Sequence, residues 1–108
     1  MSLPPTSPRL EQLRQLAAAS PDDPLTQYGL ALEYMSLERW DEAIAAFDQT
    51  LRIDARYAAA YFHKARAQLR QGRRVEAART LEAGMAAAEA NGDAHAAAEM
   101  RKMREALS

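Results

Sequence analysis

A chain of 108 residues with 48% hydrophobic and 27% charged side chains has the balance of one small globular domain, too short for two independent cores. Its net charge of −1 excludes a general attraction to nucleic acid or an anionic membrane, and the lack of cysteine excludes disulfides and thiolate chemistry. The charge is unevenly spread: residues 1–55 hold four basic and nine acidic side chains and residues 56–108 ten and six, so the halves carry −5 and +4.

Residues 1–7, with two of the five prolines, read as a flexible lead. They have no basic stretch followed by an apolar run, and no apolar run in the chain approaches the ~20 residues that cross a bilayer, so a cytoplasmic protein is expected. Ser7 ahead of Pro8 is a helix start, a capping hydroxyl before a preset first position. The helix it opens is expected over 8–19, with Leu10, Leu13, Leu16 and Ala17 in one stripe.

Ser20 to Pro24 form a turn with Asp23 as the next cap. The helix that follows, 24–37, carries Leu25, Tyr28, Leu32 and Met35 on one face and Leu30, Ala31, Tyr34 and Leu37 on another. Two apolar faces imply a helix between neighbours, or one that offers a face to a ligand. Residues 40–53 place Trp40, Ala43, Ile44, Phe47 and Leu51 at helical spacing. A fourth helix, 57–71, carries Tyr61, Phe62, Ala65 and Leu69 and ends at Gly72, a natural C-cap. A fifth, 74–90, carries Val75, Ala78, Leu81 and Met85. Asn91-Gly92-Asp93 then stops it and caps a last helix, 94–107, with Ala97, Met100, Met103 and Leu107 inward. There is no strand-like alternation.

Pro24–Asp54 and Ala58–Ala88 repeat one another at a spacing of 34 residues. Ala31 and Ala43 return as Ala65 and Ala77; Tyr28, Met35 and Phe47 return as Phe62, Leu69 and Leu81. A helical hairpin cannot bury its apolar face alone, so such units stack. At the helix crossings the backbones approach closely, and a bulky side chain at Ala31 or Ala43 would force them apart.

These residues resemble the tetratricopeptide repeat, a 34-residue helix-turn-helix unit. Ala31 and Ala65 match its small helix-A residue, Ala43 and Ala77 its helix-B alanine, and Phe47 and Leu81 its large helix-B residue. Leu30 and Tyr34 match the family's Leu and Tyr, which become Lys64 and Gln68 in the second unit. The family's early Trp is Gln27 in one repeat and Tyr61 in the other. The resemblance implies an all-α, right-handed stack of antiparallel helical hairpins, about six helices in one domain over 8–107. Within it, 8–19 is an orphan helix, 24–57 and 58–91 are the two repeats, and 93–107 is the capping helix.

Catalysis has no foothold in the residues. His63 and His95 lack metal-ligand spacing. The serines fall at termini, caps or turns, the acidic pairs sit at helix starts where the dipole accounts for them, and the glycines have no phosphate-loop spacing. No enzyme, metal or cofactor is expected. The arginines Arg66, Arg70, Arg73, Arg74 and Arg79 read mainly as a solvated basic face, since stackable aromatics beside them are too few for nucleic acid.

The family lines its concave surface from helix A, and matching positions give Leu25, Tyr28, Gly29, Leu32 and Ser36, then Ala59, Phe62, His63, Arg66 and Arg70, with Met100 and Arg104 from the last helix. The resemblance thus implies a groove for a peptide or partner segment, acidic with a hydrophobic anchor, held by Tyr28, Leu32, Phe62, His63, Arg66, Arg70, Met100 and Arg104. The alternative is a self-associating scaffold, a homodimer through the groove face. Family members that clamp chaperone tails use Lys and Asn where this chain has Tyr28, Leu32 and His63, so that clamp is not expected.

Overall fold

The computed structural model describes residues 2–107. Six helices follow one another: α1 Pro8–Ala19, α2 Pro24–Ser36, α3 Trp40–Ile53, α4 Ala58–Arg70, α5 Arg74–Ala90 and α6 Ala94–Ala106, and no strand occurs among the described residues. Local chemistry sets the starts. Ser7 Oγ accepts from Leu10 N, Asp23 from Leu25 N and Asp93 from Ala96 N, each at 3.0 Å. At α3 and α5 an arginine stands in the cap position, Arg39 or Arg73, and folds forward onto a glutamate three residues on. Their Nε atoms donate to Glu42 and Glu76 at 2.8 and 3.0 Å.

The hairpin turns close alike. Arg39 N donates to Tyr34 O, Arg73 N to Gln68 O and Asp93 N to Ala88 O, at 2.9, 2.9 and 2.8 Å. That six-to-one bond requires a left-handed residue just before the donor. Gly72 and Gly92 fill the role at φ 76 and 70, but in the first hairpin it falls to Glu38 at φ 57. A side chain there carries a steric cost of about 1–2 kcal/mol.

Consecutive helices pack in order, and α4 also touches both α2 and α6, so the three form an inner row backed by α3 and α5. Ala31, Ala43, Ala65 and Ala77 are all 0% exposed, as close helix crossings demand. The core divides into two clusters along the stack. Phe47 fills one with Leu10, Leu30 and Tyr34; Leu81 fills the other with Ala88, Ala97 and Met100. Lys64, which replaces an apolar family position, pairs instead with Asp48 of α3 at 2.6 Å. Leu16 and Val75, expected to pack, are 57% and 68% exposed. They lie on faces that no further helix covers.

At Gly84 of α5 a Cβ would stand 2.5 Å from Met100 Sδ and 2.6 Å from Tyr61 Cβ, so its bare backbone lets α4, α5 and α6 close on one another. Gly84→Ala is therefore expected to destabilise by about 1–2 kcal/mol, an overpacking cost exceeding the ~1 kcal/mol that alanine gains in a helix. Urea denaturation checks it, and a stabilised variant would mean that the three helices do not meet there.

Candidate functional site

The inner row carries two clefts, one on either side of the middle of α4. The larger, about 710 Å³, lies between the C-terminal halves of α2 and α4. Its apolar lining is Leu32, Met35, Leu69 and Met103, and Trp40, His63, Arg66, Arg70, Glu38 and Ser36 complete it. Met35, Leu69 and Met103 recur at the repeat spacing, so three successive inner helices contribute one ladder of flexible apolar side chains. The smaller cleft, about 240 Å³, is formed by Ala58, Ala59, Phe62, Asp93, Ala96, Glu99 and Met100 at the other end of α4.

A cluster of rings adjoins the larger cleft through His63. His63 stacks on Phe47 at 6.2 Å and 13°, meets Phe62 edge-on at 5.2 Å and approaches Tyr28 to 6.0 Å. Tyr28 also lies 4.8 Å from Tyr57. Burial among these rings, with the Arg66 guanidinium adding to it, holds the His63 imidazole below its ordinary value. It is neutral at pH 7, and Arg66 Nη1 sits 3.5 Å from its Nδ1.

The two groove arginines differ. Arg70 is tied down: Nη2 donates to Glu38 at 3.3 Å and the guanidinium lies 5.2 Å from the Trp40 ring. The backbone strain at Glu38 therefore holds a side chain that anchors Arg70 at the cleft rim. Arg66 is exposed, and among the described residues no carboxylate pairs with it. A guanidinium beside an apolar ladder is ready to hold a carboxylate in a fork of two hydrogen bonds.

Of the residues expected from the repeat positions, Leu32, His63, Arg66 and Arg70 share the larger cleft and Phe62 lines the smaller one. Tyr28 lines neither; it is half-buried in the ring cluster that supports His63. Met100 and Arg104 require correction. Met100 is 1% exposed, because the space over Gly84 draws its side chain into the core, where it becomes the floor of the smaller cleft. Arg104 turns to α5, where its Nε donates to Glu82 at 2.9 Å, and Met103 faces the larger cleft instead. Trp40 and Glu38 were not anticipated there. Trp40 reads as core by periodicity, yet at the first residue of α3 it stands at the hairpin end and serves the cleft.

Among the described residues no group of three or more His, Asp or Glu side chains could hold a metal ion, and no helix is long and apolar enough to cross a membrane. A family model described as tetratricopeptide repeat matches residues 34–100. No curated protein matches the sequence. Several solved structures match in fold. PcrH, in complex with the chaperone binding region of PopD, superposes with a TM-score of 0.86 at 22% identity, over 91% of this chain and 74% of that one. The TPR2B domain of yeast Sti1, in a complex with pHsp70, gives 0.83 at 24% identity, over 91% and 78%. A tetratricopeptide repeat domain protein from Salinibacter ruber gives 0.77 at 26% identity, over 82% and 90%.

Proposed function

Because the chain belongs to the tetratricopeptide repeat family, we propose that it is a non-catalytic protein-interaction module of the cytoplasm. It acts as one unit over 8–107 and holds a peptide or partner segment along the inner row of α2, α4 and α6. The partner is a protein rather than nucleic acid or a membrane. Two fold neighbours, PcrH and the yeast Sti1 domain, are described in complexes with a region of PopD and with pHsp70, which supports the reading in kind and not in partner. The observation that carries it is Arg66, an exposed guanidinium with no carboxylate partner among the described residues, over the apolar floor of Leu32, Met35, Leu69 and Met103. An acidic segment with a hydrophobic anchor fits both features. Leu32, His63, Arg66 and Arg70 contact it, with Phe62 alongside and Tyr28 holding His63 in place.

Trp40, the chain's one tryptophan, reports occupancy directly. Titration with an end-capped peptide of alternating leucine and glutamate should shift its emission and saturate. Arg66→Glu should weaken that binding about fivefold or more and make the remainder less salt-sensitive, because a favourable charge contact is reversed. Arg66 is exposed, so the melting temperature should stay within about a degree or two. An unchanged affinity in Arg66→Glu would count against the reading. The alternative, a homodimer closing the same face, draws on the charges of −5 and +4 in the two halves. It would appear in light scattering as a mass that rises with concentration in the absence of peptide.

A further inference from the structure

The smaller cleft is unlike the larger one in charge. Its walls are Ala58, Ala59, Phe62, Ala96 and the Met100 floor, and the two ionisable groups on it are carboxylates, Asp93 and Glu99. One oxygen of Asp93 caps α6 by accepting from Ala96 N, and among the described residues no hydrogen bond is made to the other. Glu99 is exposed, and among the described residues no cation pairs with it. A narrow apolar slot with acid at its rim suits one kind of side chain, an aliphatic stem that ends in a positive charge. The larger cleft, at the other end of α4, presents Arg66 and Arg70.

We infer that the groove is dipolar and selects an extended segment in which a lysine or arginine enters the Phe62–Glu99 cleft while a carboxylate meets Arg66. The inference rests on the inner row being the binding face. The spacing follows from α4 itself. Ala59 and Arg66 are separated by seven helical residues, about 10 Å at ~1.5 Å each, which three residues of extended chain span at ~3.3 Å each. The cation and the carboxylate of the ligand are therefore about three positions apart, with apolar residues between them facing Phe62. The pairing also ranks partners: a segment acidic throughout still meets Arg66, but it sets a carboxylate against Asp93 and Glu99 and so binds more weakly than the mixed one.

The test uses the full chain, labelled with nitrogen-15, and end-capped synthetic heptapeptides in which lysine and glutamate stand three positions apart with leucines between, in both orders. One order should bind and perturb the amides of Ala58, Ala59, Ala96 and Glu99. Replacing its lysine by norleucine, which keeps the stem and removes the charge, should weaken it about fivefold. Glu99→Lys, a change on an exposed site, should abolish the preference for lysine over norleucine. Equal affinity of the lysine and norleucine peptides would overturn the inference, and if glutamine in place of glutamate still weakened binding, the Arg66 groove would stand without it. No binding by any of these peptides would overturn both.

Discussion

Replacing Phe47 with alanine is expected to destabilise the domain by about 3–5 kcal/mol, the usual cost of removing a fully buried ring. Phe47 is 0% exposed, and its ring is both the centre of the first core cluster and the plate on which His63 stacks. Its loss leaves a cavity that Leu30 and Tyr34 cannot fill without moving α2. Small domains hold about 5–15 kcal/mol in total, so the loss is most of the stability of a domain at the lower end of that range. Urea denaturation measures the loss. Because His63 forms part of the larger cleft, the folded fraction should also bind the leucine–glutamate peptide more weakly. A destabilisation under 1 kcal/mol would mean that the ring cluster is not the centre of the first repeat.

Leu81→Ala should cost about 2–5 kcal/mol. Leu81 is the counterpart of Phe47 one repeat later and is equally buried, among Ala65, Ala77, Ala88, Ala97 and Met100. The two variants should fail in different places. In a stacked array each unit leans on its neighbours, and the two core clusters share no buried residue. Amide hydrogen exchange of Leu81→Ala should lose protection first in α4, α5 and α6, and that of Phe47→Ala first in α1, α2 and α3. An even loss over all six helices in both variants would show a single cooperative core instead.

The helical stack was legible because its signals are local and repeated. Ser7, Asp23 and Asp93 cap helices by short-range hydrogen bonds that need nothing from the rest of the molecule. Ala31, Ala43, Ala65 and Ala77 mark the crossings through size alone. Gly72 announces its turn, but Glu38 takes the same left-handed conformation without the residue type that would reveal it. The larger cleft was legible where the 34-residue register holds, which brought Leu32, His63, Arg66 and Arg70 together. The register is weaker beyond α5. Ile53 ends α3, and its counterpart Ala87 lies three residues short of the end of α5; α6 then starts 36 residues after α4. There a close contact at Gly84 decides where Met100 points, and an ion pair with Glu82 decides Arg104. Neither contact has a sequence period. Trp40 was missed for a related reason: periodicity identifies an apolar stripe, and the position of a residue at the very start of a helix decides what that stripe can reach.

The central claim is that the face built by α2, α4 and α6 takes the partner, and affinity capture from the native cell extract with three matched baits tests it most directly. The baits are the unaltered chain, Arg66→Glu in the larger cleft, and Arg79→Glu on α5, an exposed arginine outside the inner row. All three should be folded by circular dichroism. The account predicts that mass spectrometry finds one set of proteins on the unaltered chain and on Arg79→Glu, and that this set is lost or strongly depleted on Arg66→Glu. Retention on Arg66→Glu with loss on Arg79→Glu would contradict it and move the partner surface to the outer helices.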